Sequence, residues 1–229
     1  FNLHKKFNNY ELLRDSVSID NQPSLRKSHE FQPKVILPTH IWKLSPSLRT
    51  QIGGPDGFFF GDLAMGVHSE FLIQKNLSII SEISVGLINN LDKLKLASDS
   101  VLPHVRTDIV QYMKQSSDLH IDRMQANYFF KPSSSIYTKI SAGYLETMFA
   151  GFGFEALYRP FESNYAVGVE AWRVQQRSYE MLFDFRDYKT TTGHLTFYYR
   201  EPRTDILLKL KGGRYLAEDS GVTGDFSRE

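Results

Sequence analysis

Histidine is the side chain best suited to proton chemistry near neutral pH, and this chain holds seven, widely scattered. They are His4, His29, His40, His68, His104, His120 and His194. No HxH or HExxH spacing occurs among them, so no zinc site is expected. There are no cysteines, which excludes disulfides, thiolate metal ligands and cysteine nucleophiles. A Ser-His-acid hydrolase can assemble from distant positions, with His120 or His194 as base. No GxSxG elbow singles out a serine, however. GGPDG at 53–57 lacks the following helix and the GKS or GKT of a phosphate loop. GFGF at 151–154 reads as a strand start, and the glycine pair 212–213 as a strand end. No catalytic residue, metal or cofactor is expected.

What remains is a dispersed set of charges. His68 and Glu70 lie two residues apart, on one face of a strand. Glu146, Glu155, Arg159, Glu170 and Arg173 fall on three neighbouring strands. If Glu155, Arg159 and Glu170 share an interior, they can pair across strands as an internal salt-bridge ladder or contact a passing polar ligand. Arg173 has the opposite parity to Glu170, so a bulge would be needed to bring it to the same face.

The elements that position these residues are strands. In FFFGDLAMGVHSEFLIQKNLSIISEISVGLINN (58–90), Leu63, Met65, Val67, Ser69, Phe71 and Ile73 alternate with Asp62, Ala64, Gly66, His68 and Glu70. The pattern resumes with Leu77, Ile79, Ser81, Ile83, Val85 and Leu87 against Ser78, Glu82, Ser84 and Gly86. Period two is the signature of a strand with two unlike faces. Nine strands are predicted, near 34–51, 58–74, 77–89, 119–130, 136–147, 152–159, 165–176, 190–200 and 205–214, with 178–187 extending a hairpin. Residues 1–33 read as a polar linker or tail of a preceding region, and 34–229 as the β region. In the first hairpin, directly opposed residues must share a face. A two-residue Lys75-Asn76 loop would set Ile73 against Ser78. A three-residue loop, Lys75 to Leu77, sets Ile73 against Ile79 and Phe71 against Ser81. An odd-length loop is therefore expected, with an unusual backbone at Asn76 or Leu77 or a bulge beside it.

Alternate connections differ in character. Those at 75–76, 131–135, 160–164 and 201–204 are short and polar, whereas 90–118 and 177–189 are long. An up-and-down meander places the two sets at opposite ends. Membrane barrels have short turns at one end and long loops at the other. Several strands reach the roughly 9 to 11 residues that a tilted membrane strand needs. Aromatics, 14% of the chain, gather near strand ends, as at 58–60, 128–130, 158–161 and 198–199, where interfacial girdles sit. A net charge of +1 gives no field suited to nucleic acid. Two readings follow. An all-β antiparallel meander forming part of an outer-membrane β-barrel would turn its apolar face to lipid. A soluble periplasmic carbohydrate-binding scaffold would bury Leu63, Val67 and Phe71 inside a sandwich.

Four stretches carry a family resemblance: IGGPDGF at 52–58, SAGYLETMFAGFGFEALYRP at 141–160, TTGHLTFYYREP at 191–202 and GRYLAEDSGVTGDFSRE at 213–229. In this order they resemble the YjbH-like exopolysaccharide proteins of Gram-negative bacteria, which are described as outer-membrane lipoproteins. The resemblance implies a longer parent of which this chain is an internal piece, lacking the closing strands and any lipid-anchor cysteine. It implies an outer-membrane barrel that assists export or assembly of a secreted exopolysaccharide or capsule. The expected partners are outer-membrane lipid, the polysaccharide and other exopolysaccharide-export proteins. The candidate residues facing the lumen and polymer are Asp62, His68, Glu70, Glu82, Glu155, Arg159 and Glu170. A barrel hydrolase acting on polymer or lipid is the further alternative.

Overall fold

The computed structural model describes residues 36–52, 57–93 and 101–228. The stretch 1–33, read above as a linker, lies outside them. Residues Leu37–Glu229 form one compact unit, built on a single ten-stranded antiparallel sheet. The strands are β1 (Thr39–Ile52), β2 (Phe59–Gln74), β3 (Leu77–Asn89), β4 (His120–Ser133), β5 (Ile136–Tyr144), β6 (Phe149–Tyr158), β7 (Tyr165–Arg177), β8 (Phe185–Arg200), β9 (Ile206–Arg214) and β10 (Ser220–Arg228). Spatial order equals chain order, so the sheet is an up-and-down meander. It is open, with β1 and β10 at its edges. The all-β meander expected from the alternation is what the chain forms, and an open sheet of this order is consistent with part of a barrel.

Several expected boundaries move. There are ten strands, because SGVTGDFSR forms β10 beyond the predicted last one. Strand β6 starts at Phe149, three residues before the expected start. Strand β9 runs through Gly212 and Gly213 to Arg214, so the glycine pair lies within the strand. Strand β4 extends through KPS, leaving only Ser134-Ser135 as its turn.

The first hairpin also corrects the expected three-residue loop. Gln74 pairs with Leu77 around a two-residue Lys75-Asn76 turn, and Leu72 pairs with Ser78. Ile73 is the extra residue between them. This bulge beside the turn restores parity: Phe71 faces Ile79, Ser69 faces Ser81 and Val67 faces Ile83. The demand that opposed residues share a face is met by the bulge. A second bulge, at Asp122, interrupts β4 between its pairs Arg123–Glu82 and Ile121–Ile83.

Parity divides the sheet into two faces. One carries Leu63, Val67, Phe71, Ile79, Ile140, Phe154, Val169, Leu195, Phe197 and Leu210, all exposed. Leu63, Val67 and Phe71 are 37%, 42% and 39% accessible, which runs against burial inside a sandwich. The other face carries buried Asp62, Ser84, His120, Gln125, Asn127, Ser141, Thr192 and Thr196. Here burial follows polarity, the reverse of a water-soluble sheet.

The longer connections, after β3 and β7, lie at one end of the meander with the β5–β6 and β9–β10 turns. The short turns 75–76 and 134–135 lie at the other. At the long-loop end, residues 101–118 fold back over the polar face. They include the short helix α1 (Ile109–Lys114). Tyr112 of α1 packs with Met148, Phe149, Val174 and Met181 in the main apolar cluster. A smaller cluster holds Phe60 and Leu91 with Val110 and Met113. The apolar core thus sits on the inner face of the sheet, at its long-loop end.

Candidate functional site: the inner polar face

The inner face is organised by register into two transverse rows. Across β1 to β4, Lys43, His68, Glu82 and Arg123 stand directly opposite one another in turn. Across β5 to β8, the row is Lys139, Glu155, Glu170 and His194. Antiparallel pairing places such residues within about 5.5 Å at Cβ, so each row is a belt of neighbouring charges.

Within the first row, His68 Nδ1 lies 2.8 Å from Glu82 Oε1. Nearer the long-loop end, Arg49 donates to Asp62 Oδ2 from Nε at 2.9 Å and from Nη2 at 2.5 Å. The Ser116 hydroxyl of the folded-back segment, which donates to the Met113 carbonyl at 2.7 Å, also lies 3.2 Å from the same oxygen. Asp62 is fully buried, and Arg49 supplies the opposite charge that a buried carboxylate needs. Glu70 has the inner parity and stands opposite Ile41 and Ile80.

In the second row, Lys139 Nζ is 2.8 Å from Glu155. Lys211 of β9 reaches Glu170 Oε1 at 2.5 Å. His194 Nδ1 is 2.8 Å from that oxygen but makes no hydrogen bond, so it is close without being aligned and Lys211 carries the pairing. The expected Glu155–Arg159–Glu170 ladder is therefore built differently. Glu155 pairs with Lys139, Glu170 pairs with Lys211, and Arg159 lies past the end of β6 in the turn, where its backbone N–H donates to Ser135. No bulge brings Arg173 inward: it stays opposite Phe152 and Thr191 on the outer face and donates to Thr191 at 3.3 Å. Glu146 sits in the β5–β6 turn, paired with Arg106 at 2.7 Å. Of the seven candidate residues, six lie on the inner face and Arg159 does not.

A third arrangement resembles a hydrolase triad only in composition. Ser84 donates to Asp122 Oδ2 at 2.5 Å, and His120 Nε2 lies 3.4 Å from Asp122 Oδ1. The acid is in the middle and the serine is bonded to it, so no base is placed to take the serine proton. His194 likewise neighbours a carboxylate and Tyr215, with no serine bonded to it. Among the described residues no group of three or more His, Asp or Glu could hold a metal.

The folded-back segment is held against the inner face by specific bonds. The Tyr112 hydroxyl donates to the Arg177 carbonyl at 2.6 Å. Burial, foremost, pushes the Tyr112 hydroxyl up to about 12. Asp108 accepts from the Tyr179 hydroxyl at 3.0 Å and from Gln176 Nε2 at 3.4 Å. Gly86 is needed where the segment touches β3: a Cβ there would meet the Ser116 carbonyl oxygen at 2.6 Å and Ser117 Cα at 2.7 Å.

Comparison with known proteins adds the context. Residues 3–229 match the family model YjbH, described as an exopolysaccharide biosynthesis protein. The chain is 36% identical over 192 residues to an uncharacterized lipoprotein, YjbH, of Escherichia coli (strain K12), covering 81% of this chain and 27% of that protein. The chain thus spans about a quarter of the length of this relative. No solved structure matches it.

Proposed function

Because the chain belongs to the exopolysaccharide biosynthesis family YjbH, we propose that its sheet is a wall segment of an outer-membrane β-barrel. Its polar face would guide a secreted polysaccharide. The observation that carries the reading is the inverted polarity of the sheet: exposed Leu63, Val67, Phe71, Phe154, Leu195 and Phe197 on one face, buried polar residues on the other. A lipid-facing wall places apolar side chains outside and polar ones toward a lumen. Strand lengths of 9 to 16 residues suffice to cross a hydrocarbon core. Tyr128, Tyr158, Tyr165 and Tyr199 are exposed on the outer face toward the short-turn end, as in an interfacial aromatic belt. The lipoprotein name of the relative is compatible with a membrane-associated place. The function proposed here is non-enzymatic.

The test uses the full-length parent protein in cells. Val67→Cys and Phe197→Cys should react with a membrane-soluble maleimide and resist a charged one. Glu82→Cys should react with the charged reagent. Recovery of the full-length protein in the soluble fraction without detergent would sink the reading.

A further inference from the structure

Within the inner face lies a groove of about 330 Å³, near the lower end of the roughly 300 to 1,000 Å³ typical of small-molecule sites. Its floor is the Trp172 indole. The ring lies directly on Gly153, where a Cβ would meet two indole carbons at 2.2 Å. Only a glycine opposite it lets the ring lie so low on the sheet, and the rest of the half-buried ring lines the groove.

Polar groups surround this platform. Lys139, 6.0 Å from the indole centroid, and Glu155 form an ion pair on one side. Arg123 lines the groove as well. Its Nε and Nη2 both donate to Gln125 Oε1 at 3.1 Å, and it makes no ion pair among the described residues. The Gln125 amide donates in turn to Asn127 Oδ1, which also accepts from Ser141 at 2.7 Å. Gln125, Asn127 and Ser141 are all buried. This chain of neutral bonds fixes the guanidinium, while the carboxylates around it are held by other partners: Glu82, opposite on β3, by His68, Glu146 by Arg106 and Glu155 by Lys139.

A flat aromatic surface beside fixed hydrogen-bonding groups suits the apolar face and hydroxyls of a pyranose ring. A positioned guanidinium that is not engaged in an ion pair suits an anionic substituent. Resting on the polysaccharide reading above, we infer that this groove is a subsite for one carboxylate-bearing sugar unit of the polymer, stacked on Trp172 with its carboxylate on Arg123.

The experiment uses the full-length protein in a detergent without sugar headgroups, with tetragalacturonate, maltotetraose and purified lipopolysaccharide as probes for calorimetry. Tetragalacturonate should bind more tightly than maltotetraose. Trp172→Ala should weaken it about tenfold or more, and Trp172→Phe less. Arg123→Gln should weaken tetragalacturonate about tenfold and leave maltotetraose unchanged. Retained heat-modifiable migration of each variant shows that the barrel still folds. Equal binding by wild type, Trp172→Phe and Arg123→Gln would overturn the subsite even if the protein resides in the outer membrane. Tighter binding of lipopolysaccharide than of tetragalacturonate would assign the groove to a glycolipid headgroup and overturn the polymer assignment. If the protein instead fractionates as soluble, the wall reading fails, while Trp172-dependent binding would still uphold the subsite.

Discussion

The Tyr112 hydroxyl donates to the carbonyl of Arg177, 65 positions further along the chain, at 2.6 Å. This bond ties the β3–β4 connection to the end of β7, across the inside of the sheet.

Tyr112 is neutral in the folded chain to about pH 12, against an ordinary value of 10.0, chiefly because it is buried. A raised folded value means that its contribution is complete below pH 10 and is lost as pH rises through about 12. Segment 101–118 should therefore loosen from the inner face between these values. Hydrogen exchange of its amides, followed against pH, should accelerate in that window. Tyr112→Phe, which cannot ionise, should cost about 1 kcal/mol near neutral pH from the lost bond and should lack the alkaline step at this site. An identical alkaline acceleration in Tyr112→Phe would show that another group governs the release.

Gly86 and Gly66 both belong to the inner face but meet different neighbours. A Cβ at Gly86 would strike the Ser116 and Ser117 backbone, whereas one at Gly66 would meet the Ser84 hydroxyl at 2.9 Å. A hydroxyl can rotate and a backbone cannot. Gly86→Ala should displace the folded-back segment or cost about 1 to 3 kcal/mol as overpacking. Gly66→Ala should have a smaller effect. Limited proteolysis between residues 101 and 118 would distinguish them, with cleavage expected to be faster only in Gly86→Ala.

Glu170 joins three strands: it stands on β7, opposite His194 of β8, and holds Lys211 of β9. Glu155 holds only Lys139, on the adjacent strand. Glu170→Gln should destabilise by about 1 to 3 kcal/mol, since it leaves a partly buried ammonium without its counter-charge. Glu155→Gln should cost less, about 1 kcal/mol or under for a pair near water. Denaturant melts of the refolded full-length protein provide the comparison, and equal losses would contradict the ranking.

The sheet was legible where the two faces differ in polarity along a whole strand, as from Asp62 to Phe71. It was obscured where the inner face turns apolar. Phe149 points inward into the cluster with Tyr112, so the alternation near β6 begins with apolar residues on both faces and the strand start is hidden. Strand β10 offers only Val222 and Phe226 as exposed large apolar side chains, with glycine at 224 between them, too sparse a pattern to recognise. The inner carboxylates could be picked out by parity, but their partners required register. Lys139 has the inner parity and could have been matched to Glu155 once β5 and β6 were paired. Lys211 sits opposite Thr196, not Glu170, and its diagonal reach leaves no mark in the sequence. The folded-back segment depends on contacts with β2, β3 and β7 that no local pattern encodes.

That segment touches Asp62 of β2 through Ser116 and Arg177 of β7 through Tyr112. Geometrically it is a chord drawn across an arc. From β2 to β7 the sheet spans five intervals, which at about 4.8 Å each make an arc of about 24 Å. From Tyr112 to Ser116 the chain rises only about 6 Å if helical throughout, with two side chains to reach the walls. The curvature of the sheet at its long-loop end is thus braced by residues outside the sheet, and lengthening or releasing the chord would change that curvature.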